Sequence, residues 1–313
     1  MCISKICSTF AVAMLLYPNC KINLGLRVVR KRPDGYHDLE TIFVPVYGLH
    51  DELEVHRFED LKIRRFEDSN DIIFVQEGIA VDCKPEDNLI IKCYRAFAKK
   101  YPQVGGVSIR FTKNIPFGAG LGGGSSDAAH MAIALNELFG LGLSKAQLAE
   151  EVLPLGADCP FFIYNTPCFA EGIGERLTPI ELDLRGTRIV MIKPDEGVST
   201  KEAYEGITPC NDTSKARLMS ATKLLNDVAA QLNDVFINDF EATVFPKHPI
   251  IAHIKKRLQD AGAYYASMSG SGSTVFGFFK DNAERGTDAQ LRLLKQEFAS
   301  MILLDDTFGE WKS

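Results

Sequence analysis

From Lys21 to Val28 the chain alternates strictly, with Ile22, Leu24, Leu26 and Val28 on one side and Lys21, Asn23, Gly25 and Arg27 on the other. A period of two belongs to a strand with one buried face, so Lys21 and Asn23 point the same way. After the turn residues Pro33, Asp34 and Gly35, apolar and β-branched runs at 41–47, 52–58 and 72–75 predict further strands with antiparallel neighbours. The period then lengthens. Leu89, Ile90, Cys93, Phe97 and Ala98 recur at helical steps between Asn88 and Lys100, and the segment closes on basic residues, which suit a helix C-terminus. A strand at 107–112 follows, and Ala128, Met131, Ala132, Leu135 and Leu138 then mark a helix that Gly140 stops. Further strands are expected at 161–171, 188–193 and 274–279, with helices at 215–233 and 250–262. Strands and helices mix without strict βα alternation, which predicts an α+β fold rather than a doubly wound sheet.

Composition narrows the class of function. The chain has 313 residues, 46% hydrophobic and 24% charged, as in an ordinary soluble globular protein of about two domains. With 35 Lys plus Arg against 41 Asp plus Glu, the formal net charge of −6 lacks the basic footprint that nucleic acid selects. The eight cysteines contain no CxxC pair, and a chain of this length needs no disulfide staples, so they read as reduced thiols of a cytoplasmic protein. None of the six histidines sits at HxxxH or HExxH spacing with acidic partners, so any metal is expected to arrive with a phosphate. Near the start, Lys5 and the apolar stretch from Ile6 to Leu16 have the charged-then-apolar order of a secretory signal. Against that reading, no small-x-small cleavage site precedes the strand near Pro18, and the stretch is too short and broken to span a bilayer. The simpler expectation takes Met14 as the start, with residues 1–13 outside the protein or a frayed tail.

Residues 116–129 read PFGAGLGGGSSDAA, five glycines in seven positions from Gly118 to Gly124, directly ahead of a helix. Glycine permits backbone conformations and close approaches that a side chain forbids. Successive N–H groups can then face an anion at the positive end of a helix dipole, and phosphate is the natural guest. Gly118, Gly120 and Gly123 satisfy GxGxxG literally, yet a dinucleotide fingerprint follows its strand at once, and here Thr112 to Pro116 intervene. A Walker loop ends in Gly-Lys-Ser or Gly-Lys-Thr, where this chain has Gly124, Ser125 and Ser126. A turn with no ligand would not require so many glycines, whose ordering costs backbone entropy.

The segments Pro18–Thr41 (PNCKINLGLRVVRKRPDGYHDLET), Pro116–Ala129 and Ser267–Phe276 (SMSGSGSTVF) resemble the signature motifs of the GHMP kinase superfamily, in their expected order. The strings KINLGL, RPDGYHDLET, GLGGGSSDAA, GADCPFF and AEGIGERL narrow the resemblance to the 4-diphosphocytidyl-2-C-methyl-D-erythritol kinases of the non-mevalonate isoprenoid route, over roughly residues 15–280. Among the departures, Cys20 stands where that family usually has alanine. The resemblance implies a two-domain GHMP kinase fold, with an N-terminal ATP-binding domain at 15–172, a C-terminal α+β substrate domain at 173–313 and the active site in the cleft between them. It implies ATP-dependent phosphorylation of the 2-hydroxyl of the cytidine-diphospho methylerythritol, with Mg²⁺ bridging the β- and γ-phosphates. The expected partner is a small molecule, with no nucleic acid and no membrane, and the expected state is a monomer or weak homodimer.

By the same resemblance, Asp158 in GADCPFF receives the proton of the acceptor hydroxyl, and Lys21 holds it ionised while stabilising charge on the transferring group. The apolar neighbours Phe161, Phe162 and Ile163 place Asp158 at the edge of a buried strand, where a carboxylate must be paired or functional. Without the resemblance, a cap or turn aspartate and a solvated lysine would be the ordinary readings. Pro116, Gly118, Ala119, Gly120, Leu121, Gly122, Gly123 and Gly124, with the hydroxyl of Ser125 or Ser126, are expected around the triphosphate, and Asn88 in a segment beside the adenine. At the acceptor end Tyr36 would stack on the cytosine and His37 hydrogen-bond its edge, while Asn23, Thr200 and Lys201 contact the substrate. Tyr204 reads equally as the opposing ring or as a surface tyrosine. The loop from Met268 to Thr274 would lie against the phosphate loop, its glycine turn allowing the approach. Homoserine, mevalonate and galactose kinases are the rivals within the superfamily, and DGYH with GADCPFF favours a cytidine-bearing acceptor over theirs. A ligand sensor on the same fold is opposed by the presence of both Lys21 and Asp158.

Overall fold

The computed structural model describes residues 4–8, 11–58, 72–80, 84–210, 215–222, 232–280 and 285–310. With elements numbered in chain order, one sheet holds β1 (Ser4–Ser8), β2 (Ala11–Leu16), β5 (Glu52–Arg57), β7 (Val107–Lys113) and β6 (Ile72–Gly78) in that spatial order. The long strands β3 (Asn19–Lys31) and β4 (His37–His50) begin a second sheet that continues through β8 (Cys168–Gly172) and β9 (Arg176–Pro179). The third runs β11 (Tyr265–Met268), β12 (Val275–Lys280), β10 (Thr187–Ile192) and β13 (Ile302–Thr307). Between and around them lie helices α1 (Leu89–Lys100), α2 (Gly123–Leu138), α3 (Lys145–Val152), α4 (Cys159–Tyr164) and α5 (Thr200–Tyr204). The remaining described helices are α6 (Lys215–Thr222), α7 (Leu232–Val235), α8 (Glu241–Val244), α9 (Pro249–Asp260) and α10 (Arg285–Glu297). This is the α+β mixture that the periodicity predicts. Among the described residues no helix is long and apolar enough to cross a membrane.

Apolar packing gathers around three centres. The first sheet packs on α1, α2 and α4 through Val55, Phe97, Ile109, Met131 and Phe161. Strand β3 serves both others: Ile22 and Leu24 join Phe236 and Tyr265, while Leu26 and Val28 join Val190, Ile254 and Phe279. The switch comes at Gly25, with φ +66°, where the pairing with β4 shifts register between Leu24 and Leu26. Glycine adopts that backbone angle at no steric cost, and the extra residue re-aims the strand. Both faces of β3 are buried over Asn19–Leu26, Lys21 at 4% and Asn23 at 2% exposure. A strand with one wet face was expected; the polar face is covered as well, because the glycine segment at 118–124 lies over Lys21.

Three other expectations change. The strand foreseen at 161–171 divides into α4 and β8. Pro160 lies in the first turn of α4 and Asn165, at φ +52°, closes it, whereas a short apolar run such as Phe161, Phe162 and Ile163 does not distinguish strand from buried helix. Strand β6 runs parallel to β7, not antiparallel. The frayed tail foreseen for residues 1–13 is not what β1 and β2 form: β2 pairs with β5 from Ala13↔His56 to Leu16↔Leu53, and Met14 and Leu16 are buried. The 215–233 helix is represented by α6 and the start of α7, and residues 223–231 lie outside the described residues.

Candidate active site

The glycine segment leaves β7 and enters α2, whose N-cap is Gly122 in the left-handed region at φ +69°. Its shape is enforced by contact. A Cβ on Gly120 would stand 2.1 Å from the Ser269 carbonyl oxygen, and one on Gly122 would meet the Phe162 ring at 3.0 Å and Lys21 Cε at 3.3 Å. Backbone and hydroxyl bonds lock the loop into its neighbours: Lys21 N donates to Leu121 O (3.0 Å), Thr274 N to Ala119 O (3.3 Å) and Ser269 Oγ to Gly120 O (2.9 Å). The loop at 268–274 therefore does lie against the glycine segment. Ahead of α2, Gly118 is open on its Cα side, with nothing within 4 Å of an added Cβ. A helix start with glycine N–H groups ahead of it is suited to an anion.

Lys21 and Asp158 meet beneath this loop, Nζ to Oδ2 at 3.6 Å, their side chains 5% and 30% exposed. Lys21 Nζ also donates to Asn23 Oδ1 (2.6 Å) and stands 4.8 Å from the centre of the Phe43 ring. Asn23 is fixed in turn by Nδ2, which donates to Thr41 Oγ1 (3.1 Å), and that hydroxyl donates to Gly25 O. The strict alternation of β3 is what puts Lys21 and Asn23 on this face. Burial pushes the Lys21 ammonium below the ordinary lysine range, and Asp158 opposes that shift. Asp158 occupies the N-cap position of α4 but its side chain makes no cap hydrogen bond. Its carboxylate instead faces the cavity, with Gly174 close enough that an added Cβ would lie 3.5 Å from Oδ1. The bland reading of Asp158 as a helix cap is thereby removed.

A cavity of about 390 Å³ opens here. Lys21, Asn23, Pro116, the whole run Gly118–Ser125, Asp158, Thr200 and Tyr204 line it, together with Phe43, Phe240 and Ser271. Other expected residues are placed differently. Ser126 is fully buried, its hydroxyl near His130 Nδ1 (3.4 Å), so Ser125 is the hydroxyl at the cavity. Asn88 caps α1, its Oδ1 accepting from Ile90 N (2.9 Å), and the next residue, Leu89, lines the cavity. Lys201 is exposed and does not line it. Tyr36 is 62% exposed and outside the lining, while His37 stacks on Tyr204 with ring centres 4.6 Å apart. Tyr204 meets the edge of Phe240 at 4.8 Å, and burial together with the charge of Asp158 pushes its hydroxyl up to about 12. Thr200 Oγ1 lies 3.4 Å from Ser271 Oγ, so α5 touches the same loop that braces the glycines.

One group escaped sequence reasoning altogether. Lys113, at the end of β7, is 3% exposed and pairs with Asp51 and with Asp127 Oδ2 (2.8 Å) of α2. Asp51 Oδ1 accepts from Asn114 N (2.6 Å) and Ile115 N (2.8 Å), fixing the entry to the glycine loop. Burial lowers and the two carboxylates raise the Lys113 ammonium, with a net rise; burial drives the Asp127 carboxyl well above its ordinary range. Sequence spacing carries no signal for a partner 62 residues away.

Comparison with known proteins gives this geometry a class and then a family. The profile for the GHMP kinases N terminal domain matches residues 88–166, and that for the GHMP kinases C terminal region matches residues 218–290. The 4-diphosphocytidyl-2-C-methyl-D-erythritol kinase of Bacteroides thetaiotaomicron is 46% identical over 267 residues, 85% of this chain and 92% of that protein. The Bacteroides fragilis protein of the same name is 45% identical over 266 residues, with the same shares covered. A crystal structure of a 4-(cytidine 5'-diphospho)-2C-methyl-D-erythritol kinase superposes with a TM-score of 0.70 at 31% identity, over 89% of this chain and 96% of the other. The chain belongs to the 4-diphosphocytidyl-2-C-methyl-D-erythritol kinase family of GHMP kinases.

Proposed function

We propose that this chain transfers the γ-phosphate of ATP to the 2-hydroxyl of 4-(cytidine 5'-diphospho)-2-C-methyl-D-erythritol, giving the 2-phosphate and ADP in the non-mevalonate route to isoprenoid precursors. The observation that carries the reading is the Lys21–Asp158 pair, 3.6 Å apart and facing the cavity under the glycine loop. Asp158 accepts the hydroxyl proton as that oxygen bonds to the γ-phosphorus, and the bond to the β–γ bridging oxygen breaks with its electrons leaving on ADP. Lys21, aimed by Asn23, stands beside Asp158 and offsets negative charge on the transferring group. Gly118–Ser125 hold the triphosphate through backbone N–H groups and the Ser125 hydroxyl. The Ser125 hydroxyl is a hard oxygen donor beside that loop, which fits a Mg²⁺ ion that would be held largely through phosphate oxygens. Bound there, Mg²⁺ would neutralise phosphate charge. Tyr204, on which His37 stacks, offers the flat surface for the cytosine.

The test is ADP release from the purified protein with ATP and Mg²⁺, comparing the cytidine substrate with mevalonate, homoserine and galactose. Turnover of the cytidine substrate alone is expected. Turnover of another acceptor would discard the acceptor assignment and keep the kinase; ATP binding without turnover of any would favour a sensor.

A further inference from the structure

Four consecutive residues, Asn238–Glu241, tie together parts of the cleft that come from distant stretches of chain, and none of the roles assigned above uses Asn238, Asp239 or Glu241. Asn238 is 1% exposed and forms a parallel bridge to Leu26 of β3, with Leu26 N donating to Ile237 O and Asp239 N to Leu26 O, both at 2.8 Å. Its side chain is fully used: Nδ2 donates to Met268 O (2.7 Å) and Gly270 O (2.8 Å), and Oδ1 accepts from Phe240 N (3.0 Å). Glu241 holds the same loop from its other side, Oε1 accepting from Met268 N (2.9 Å) and Ser267 Oγ (3.2 Å). Asp239 grips β3, Oδ2 accepting from Val28 N (2.8 Å) and Oδ1 lying 3.3 Å from Arg27 Nε. The held loop in turn braces the glycines through Ser269 Oγ to Gly120 O and Thr274 N to Ala119 O. Phe240, between these anchors, enters the cavity wall and meets the ring of Tyr204.

We propose that Asn238–Glu241 is a positioning segment shared by the two substrate sites. Asn238 fixes the loop at Gly270 against the phosphate loop and so shapes the ATP site, while Phe240 backs Tyr204 and so shapes the acceptor site. The second half rests on the acceptor proposed above; the first does not. The physical basis is that one amide donates to two buried carbonyls, Gly270 O and Met268 O, the second of which is also within reach of Ser267 Oγ (3.3 Å). Asn238→Asp keeps the oxygen that Phe240 N needs but sets a carboxylate against Met268 O and Gly270 O, so the loop must move. Displacements of about 1 Å at such a support can cost on the order of a hundredfold in rate.

Calorimetric titration separates the two halves. Asn238→Asp is expected to weaken binding of Mg·ATP by about tenfold or more while changing affinity for the cytidine substrate less than about threefold. Phe240→Leu is expected to reverse that pattern. If Asn238→Asp does not fold, Ser269→Ala removes the brace at the far end of the same loop and must likewise weaken ATP selectively. A lowered melting temperature with both affinities intact, or equal losses on both ligands in every variant, would overturn the proposal. Wild-type protein that binds ATP but not the cytidine compound would sink the acceptor assignment, and the ATP titration of Asn238→Asp would still decide the role of the loop.

Discussion

The two ends of the cleft are built by different means. At the phosphate end, backbone meets backbone: Gly120 lies against the Ser269 carbonyl, Leu121 O accepts from Lys21 N, and the charged pair below is 5% and 30% exposed. At the acceptor end, side chains meet across the cleft, with His37 from β4 stacked on Tyr204 from α5 and Tyr36 standing out in solvent at 62% exposure. Backbone interlocks leave almost no freedom for substitution, because a methyl group has nowhere to go. A stack of rings can be altered, weakened or slid without disturbing the rest. On the function proposed above, the first end would fix the reaction and the second the molecule that receives the phosphate.

The sharpest way to break that division is Asp158→Asn, which is expected to lower kcat by about 10³-fold, within the usual range for removal of a general base, with little change in ATP affinity. Steady-state kinetics would show it; a stability loss with kcat preserved would make the pair merely structural. Next come the glycines. Gly120→Ala places a methyl 2.1 Å from the Ser269 oxygen at φ +73° and should abolish measurable ATP binding. Gly118→Ala, at φ +63° with nothing within 4 Å, should cost only the left-handed backbone strain of about 1–2 kcal/mol. Nucleotide titration of the two variants side by side tests whether contact, not mere glycine content, shapes the loop. At the acceptor end, Tyr204→Ala should raise KM for the cytidine substrate by roughly 5- to 150-fold, the worth of one stacked base at about 1–3 kcal/mol, and leave KM for ATP unchanged. Tyr36→Ala should do less, and an equal effect would mean that Tyr36 closes onto the base.

Two smaller effects concern pH. Burial lowers the Lys21 ammonium, so the rate should fall on the alkaline side before an ordinary lysine would titrate, and Lys21→Arg, if it keeps measurable activity, should move that limb upward in a pH–rate profile. His248 bridges Glu196 (2.9 Å) and Glu202 (3.1 Å), clamping the segment that carries α5, and hydrogen bonds to those carboxylates raise its pKa above the ordinary 6.5. A raised folded-state pKa gives stability that is fully present below 6.5 and lost as pH rises through the folded value. Being near the surface, the clamp should contribute no more than about 1 kcal/mol. Melting curves of wild type and His248→Gln should differ below pH 6.5 and converge above the folded-state pKa; a constant offset would exclude the clamp.

How much of this was legible beforehand follows from the same contrast. The glycine run announces its own tight contacts, and the alternation of β3 is enough to put Lys21 and Asn23 on one face. The motif names Asp158, but the run after it, expected as a strand, folds as a six-residue helix closed by Asn165. Asn88 stands at the expected place in the chain and spends its side chain on a helix cap. Lys113 and Asn238 gave no local sign, their partners lying 14 to 62 and 30 to 32 residues away.

By itself, then, the amino-acid sequence determined the strand that carries Lys21, the glycine loop before α2, the α+β mixture and the family, all of which depend on short-range spacing and on which residue types tolerate which backbone angles. No periodicity spans the 137 residues between Lys21 and Asp158: the family resemblance implied the pair, and the tertiary structure brings the two side chains to 3.6 Å. It also decided that Ser125 rather than Ser126 faces the cavity, that His37 rather than Tyr36 meets Tyr204, and that Asn238 joins both halves of the cleft. Those outcomes depend on which surfaces are left to pack once the sheets and helices have formed, and buried polar groups then accept whichever partner comes within reach.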